Sequence, residues 1–346
     1  MHRTPATATA AETIEADARG WGRVLAAYRD PRPRRSLAEL AVTLLPFVGL
    51  WFTMLASLQY SYVLTLVLAV PTAGLMVRLF IIQHDCGHGA FLRRRRRNDA
   101  VGRVLGVLTL TPYDHWRRCH AEHHAGSGNL GRRDLGEITT LTVAEYRGRG
   151  FWGRLGYRLY RHPLVLFGLG PFYLFAIENR LPVGRMRAGW GPWFGTMATN
   201  AGIAALSAAA IWAFGWLPLL LVQLPVVVLA ATAGVWLFYV QHQFETTSWD
   251  EAEDWQHPVA ALHGSSHYDL PAVLRWFTAN IGVHHVHHLA SRIPFYRLPE
   301  VLRDHPALRD VGRLTLNDSL RSLRLRLWDH EARRLVSFRE ARLRTV

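Results

Sequence analysis

The sequence predicts an all-α integral membrane protein, with four transmembrane helices in two hairpins and a cytosolic helical cap. Three observations carry that prediction. Half of the 346 residues are apolar. They concentrate in four long stretches, each near the ~20 residues that cross a bilayer as a helix. The arginines avoid the short turns that join these stretches in pairs, and cluster on the other side.

The first pair covers residues 37–58, "LAELAVTLLPFVGLWFTMLASL", and 61–82, separated by almost nothing. The second covers 196–214 and 216–240, again with a minimal joint. Pro218 and Pro225 fit inside the last stretch, because neighbouring helices satisfy the backbone groups that a proline frees. Two hairpins put both termini and the long middle segment on one side. Arg93 to Arg97 follow the first hairpin directly, whereas the turns near Gln59 and Gly215 carry no arginine. By the positive-inside rule that side is cytoplasmic. Shorter apolar pieces at 101–112 and 163–177 read as re-entrant or interfacial segments. Leu316, Leu320, Leu323 and Leu327, with arginines between them, predict an amphipathic helix lying on the membrane or on the cap. The chain divides into an N-terminal cytosolic segment over 1–35, a membrane domain over 36–340 and a tail over 341–346.

The formal net charge is +14, and all 40 basic residues are arginine. A basic balance suits nucleic acid, an anionic membrane surface or an acidic protein; the apolar stretches favour the last two and leave no role for nucleic acid. Two cysteines, Cys86 and Cys119, each adjoin a histidine cluster, which argues against a disulfide framework. They read as reduced, small packing residues. The first 35 residues are polar and alanine-rich and contain no apolar signal-peptide core.

Ten of the 18 histidines lie in four places. His84 and His88 sit in "HDCGH"; His120, His123 and His124 in "HAEHH"; His242 in "YVQHQFE"; His284, His285, His287 and His288 in "HHVHH". Positions i, i+3 and i+4 share a helix face, so each cluster is spaced to aim two or three imidazoles at one point. His84 and His242 fall just past the second and fourth stretches, so the clusters converge on one side without burying imidazole in hydrocarbon. Neutral imidazole is the commonest metal ligand and suits zinc, copper, iron and nickel alike. Eight or nine ligands exceed one ion's coordination number, so counting implies a di-metal site held by the cap.

"HDCGH", "HAEHH" and "HHVHH" resemble the three histidine boxes, HxxxH, HxxHH and HxxHH, of the integral-membrane fatty acid desaturase family. The resemblance extends to "FYVQHQFE", "GSSHYDLP" and "NIGVHHVHHLASRIPFYRLPEVL", and spans about residues 36 to 340. It implies two non-haem iron ions held by His84, His88, His120, His123, His124, His284, His287 and His288, with His242 as a ninth ligand. His285 occupies the variable position of its box and is left out. The resemblance also implies the reaction: a cis double bond introduced into a fatty acyl chain, of acyl-lipid and omega-6/delta-12-like type, using O2 and two electrons. It places the protein in the bacterial inner membrane. Relatives acting on acyl-CoA carry an asparagine four residues before the isolated histidine; here that position is Phe238, and Asn280 or water is the substitute.

No flavin, nicotinamide or HPGG haem-binding signature is present, so a separate electron donor is implied, a ferredoxin or a cytochrome b5-like protein. Phe91, Trp116, Phe244, Trp276 and Phe277 are candidates to line an acyl channel. Asp85, Glu122, Asp134, Glu137 and Glu245 are candidates to hold the second ring nitrogen of a ligand. "SRIPFYRLPEV" reads as a stiff turn that locks the third box. A hydroxylase or carotenoid oxygenase of the same superfamily is the rival enzyme, and a divalent-metal transporter the rival of another class.

Overall fold

In the computed structural model, which describes residues 18, 20–133 and 138–343, four helices are long and apolar enough to span a membrane. The first, α1 (Pro33–Ser57), starts with proline at its first position, where the missing N–H and fixed φ cost nothing. The second, α2 (Tyr62–His88), ends at Gly89 with φ of +69°, the left-handed stop that glycine supplies. Two shorter helices follow, α3 (Arg95–Leu108) and α4 (Tyr113–Gly126). The other long pair, α5 (Trp190–Phe214) and α6 (Trp216–His242), is joined through Gly215 alone, at φ of +86°. The third histidine cluster lies on a short helix, α7 (His284–Leu289).

Helix α2 is the centre of the molecule. Of its most apolar window 61% is buried, against 22% for α1, 6% for α5 and 22% for α6. Large apolar side chains are nonetheless open: Leu45 on α1, Phe194 and Trp212 on α5, and, on the first part of α2, Val67 and Val70 are all exposed. Helices apolar all round belong in a core or in lipid, and with so little of α5 buried, lipid is what remains. Length then positions the chemistry. A 27-residue helix is about 40 Å long, about 10 Å more than the hydrocarbon thickness. The last turns of α2 and α6 therefore extend past the apolar layer, and both carry histidine. His84, read from sequence as lying beyond the span, sits on the same unbroken helix.

The remaining elements pack around those two helix ends. His267–Tyr268 pairs in parallel with Arg313–Leu314, and Leu327–Asp329 pairs antiparallel with Arg334–Val336, small additions to a helical protein. Ser266 joins the parts. Its N–H donates to the Gln241 carbonyl (2.9 Å) and its hydroxyl to that of Val240 (3.0 Å), while its own carbonyl accepts from His284 and His285 at 3.1 and 3.2 Å. One residue of "GSSHYDLP" thus ties the end of α6 to the start of α7.

The expectation at Leu316–Leu327 needs correction. The helix covers Leu316–Ser322 only, closed at its start by a Thr315/Asp318 capping box, and Leu327 belongs to a strand. Leu325 and Leu327 alternate with period two and are buried, so strand pairing overrides the leucine steps. Of the shorter apolar pieces, 101–112 becomes the end of α3 and a turn, and 163–177 a π turn followed by helix Gly170–Ala176.

Candidate metal centre

Nine histidines from four helices form two groups. His84, His88, His120, His124 and His287 make one, and His123, His242, His284 and His288 the other; within each group the ligating nitrogens lie within 4.8 Å of one another. The boxes do not each serve one point, as spacing alone suggested. In the second box the i, i+4 pair His120 and His124 faces the first group and His123 faces the second. In the third box His284 and His288 face the second group and His287 crosses to the first. The i+3 position lies to one side of the i, i+4 line on a helix, which is why HxxHH feeds two neighbouring centres.

The spacing of the nitrogens fits bound ions. Nε2 atoms of His120 and His124, and of His124 and His287, are 3.1 Å apart. In the second group His123–His242 and His242–His284 are 3.1 Å, and His284–His288 is 3.0 Å. An ion about 2.1 Å from each nitrogen has neighbouring ligands about 3.0 Å apart in an octahedron and about 3.4 Å apart in a tetrahedron. The observed edges of 3.0–3.1 Å are of the size that ligands around a shared ion require. His88 Nε2 is also buried and without a hydrogen-bond partner, a cost that ligation removes. The two groups touch where His124 and His288 stack, ring centroids 4.1 Å apart.

Burial and crowding keep the cluster neutral. His120, His124, His284, His287 and His288 are all held below the usual imidazole range, first by desolvation and then by neighbouring imidazoles. The neutral form is the one that ligates. His242 Nδ1 lies 3.3 Å from the Gly264 carbonyl and 3.4 Å from Ser127 Oγ, an arrangement that protonates Nδ1 and frees Nε2 for the cluster.

Of the candidate carboxylates, Asp85 is the one in place. Its Oδ1 is 3.4 Å from His84 Nδ1 and its Oδ2 accepts the Phe295 N–H at 2.7 Å. Phe295 belongs to "SRIPFYRLPEV", so a single carboxylate ties the first box to the turn behind the third. Glu122 instead pairs with Arg185, and Glu245 is exposed. Asp134 and Glu137 lie outside the described residues.

His285 is turned away: its Nε2 donates to the Leu308 carbonyl at 2.8 Å and its ring faces His267 at 5.7 Å. Phe238 packs its ring on His123 (5.2 Å) and His242 (5.6 Å). The Asn280 amide donates to the Phe295 carbonyl. Cys86 is fully buried packing, as expected, whereas Cys119 lines a cavity.

That cavity, of about 260 Å³, runs between α2 and α6 and ends on His84, His120, His123 and His284. Met76, Val77, Phe80 and Ile81 line it from α2, and Ala231, Gly234 and Phe238 from α6. Trp116 is the one predicted channel aromatic on its wall. Phe91 and Phe244 are buried in the core, Phe277 abuts Gly74, and Trp276 stacks under Arg78. Sequence reasoning missed Phe80, Phe175 and Phe238 as lining, although stepping back four residues from His84 and from His242 reaches Phe80 and Phe238.

Known sequences resemble this one. A family model described as "Fatty acid desaturase" matches residues 59–317. The chain is 46% identical over 315 residues to a "Fatty acid desaturase" of Bacillus subtilis, covering 91% of this chain and 89% of that protein. It is 29% identical over 234 residues to the "sn-1 acyl-lipid omega-3 desaturase (ferredoxin)" of Synechocystis sp., covering 64% and 61%. It is 25% identical over 250 residues to the "sn-1 oleoyl-lipid 12-desaturase" of Anabaena variabilis, covering 66% and 64%. The chain thus spans under two thirds of the length of these two more distant relatives.

Proposed function

Because the chain belongs to the fatty acid desaturase family, we propose that it introduces a cis double bond into a fatty acyl chain carried on a membrane lipid. The observation that carries this reading is the meeting of the apolar cavity with both histidine groups. The reaction takes two hydrogens from adjacent methylenes; with O2, two electrons and two protons, they leave as two waters. His84, His88, His120, His124 and His287 would hold one iron ion and His123, His242, His284 and His288 the other; bound there, the pair would activate O2 for an oxidation that no side chain can perform. His242 completes the second set, and His285 stays outside both.

The protein's own residues bind, orient and keep water out. An alkyl chain offers no polar handle, so position is selected by length and bend against an apolar wall, where one methylene is worth about 1–3 kcal/mol. Phe80, Trp116, Phe175 and Phe238 provide that wall. Asp85 orients His84, and Gly264 and Ser127 orient His242, as outer hydrogen bonds do for ligating imidazoles. The acyl-lipid substrate follows the names of the Synechocystis and Anabaena relatives, and the omega-6/delta-12-like position follows the name of the Anabaena one, the other being named an omega-3 desaturase. The electron donor is external, of ferredoxin or cytochrome b5 type. The arginines of 93–97 support a cytoplasmic site, with both termini on that side of a bacterial inner membrane.

The test is expression in a bacterium lacking polyunsaturated lipids, with double bonds located by mass spectrometry. A new unsaturated chain that disappears with His124→Ala is the expected result. A hydroxylated product replaces the reading with the oxygenase one, and unchanged lipid in cells whose purified protein holds two irons and a working donor overturns it.

A further inference from the structure

The two histidine groups are not equally deep. All four members of one are buried, whereas His88, His120 and His124 of the other are half-buried. A surface groove of about 280 Å³ reaches the five-histidine group, lined by His88, His120, Trp116, Arg95, Arg117 and Arg118. His120 and Trp116 also line the apolar cavity, and their rings stack at 4.7 Å and 16°. This pair is the partition between an apolar entrance on one side and a cationic groove on the other.

The rim carries three arginines; of the carboxylates around it, Asp114 and Glu122, one turn either side of Arg118, pair with Arg103 and Arg185 outside the groove, and Asp99 lies at the rim itself. Asp99 fixes two of them, Arg95 at 3.1 Å and Arg117 at 3.6 Å, and is itself held by the Tyr113 hydroxyl at 2.8 Å. Arg118 and the run Arg93–Arg97 are exposed, so the field extends outward. We propose that this rim is the docking surface for an acidic, one-electron carrier protein, seated over His88 and His120. The inference rests on the desaturase reading, which requires two electrons per double bond. Each of two reduced carriers gives up one electron and leaves oxidised. Tunnelling falls off exponentially with distance, and two of the ligating imidazoles, His88 and His120, line the groove itself. Redox encounters are small and weak, so long-range steering by such a field sets their rate, with strong sensitivity to salt.

The test uses the full-length, iron-loaded protein in nanodiscs and an acidic [2Fe–2S] ferredoxin with its reductase. Arg117→Glu/Arg118→Glu should raise KM for ferredoxin about tenfold or more and flatten its salt dependence, because rim charges act on association. Turnover driven by dithionite, and iron content, should stay at the wild-type level, and Arg117→Lys/Arg118→Lys should restore KM. Binding of ferredoxin to the same nanodiscs, measured separately, should weaken in parallel. Unchanged KM and binding overturn the proposal. So does a loss confined to anionic vesicles, which would assign the arginines to lipid headgroups, or an equal fall in dithionite-driven turnover, which would place them in the site itself. Ferredoxin binding lost in the Glu variant, beside wild-type protein that makes no double bond even with dithionite, upholds the docking surface and overturns the desaturase reading.

Discussion

Adjacent histidines in "HHVHH" have opposite fates, and the backbone decides which. His284 points into a group of four, while His285, one residue and about 100° further round the helix, donates to the Leu308 carbonyl and faces His267. His285→Asn should therefore leave two irons per chain and cost only structure, on the order of 1–3 kcal/mol for a lost buried hydrogen bond. His284→Asn should lose iron outright; metal analysis of both purified variants decides, and iron loss in His285→Asn refutes the division. The neutral imidazoles also set an acid limit. His120, His124, His284, His287 and His288 lie below the ordinary value of 6.5 in the folded chain. As pH falls through 6.5 the unfolded chain takes up protons that the folded chain does not, so stability declines on the acid side. Bound metal adds to the same slope, since ligation requires the deprotonated form. The melting temperature should fall steadily below pH 6.5, and a flat profile down to pH 5 would contradict the buried, neutral cluster.

Elements differ in how far the sequence announced them. The four long helices and the histidine boxes were legible because hydrocarbon thickness and helical period leave few other readings of such stretches. The division of each HxxHH between two groups was not, since spacing states what shares a face and not where a neighbouring helix places its own ligands. The cavity wall was missed for the reverse reason. Proximity in sequence drew attention to Phe91 and Phe244, beside the boxes, whereas the lining comes from helix faces receding by three and four, through Phe80 and Phe238. The strand at Leu327 was hidden beneath leucine steps that fit a helix equally well. Gly234 shows what the wall is for. It lies mid-helix on the cavity side, and a Cβ added there meets nothing within 4 Å. A glycine at such a place weakens a helix by about 0.5–1 kcal/mol relative to alanine, so the empty space has another use. Gly234→Leu should keep two irons and a folded protein yet lower conversion of long acyl chains at least tenfold, with shorter chains spared. Lipid profiles at matched iron content measure it, and undiminished conversion would place the acyl chain elsewhere.

At the scale of the whole molecule the puzzle is a charge buried on a membrane-spanning helix. Arg78, on the central helix six residues before His84, is 2% exposed. It pairs with Glu39 of α1, donates to Thr43 at 3.1 Å and to the Trp276 carbonyl, and lies over the rings of Trp276 (4.3 Å) and Phe295 (5.2 Å). One guanidinium thus joins the first helix, the central helix and the turn that backs the third box through Asp85. A buried pair contributes little net stability over an apolar replacement, but removing one partner leaves a bare charge, at about 3–5 kcal/mol. Glu39→Ala should therefore lower the melting temperature by about 10 °C, and release iron in the process, because the Phe295 turn loses its anchor. Glu39→Leu/Arg78→Met should recover most of the lost stability, since no uncompensated charge remains, while recovering less of the iron. The two readouts separate the roles of the pair: full recovery of both would make it a filler of the helix interface, whereas recovered stability with poor iron retention makes it the strut between the membrane helices and the metal centre.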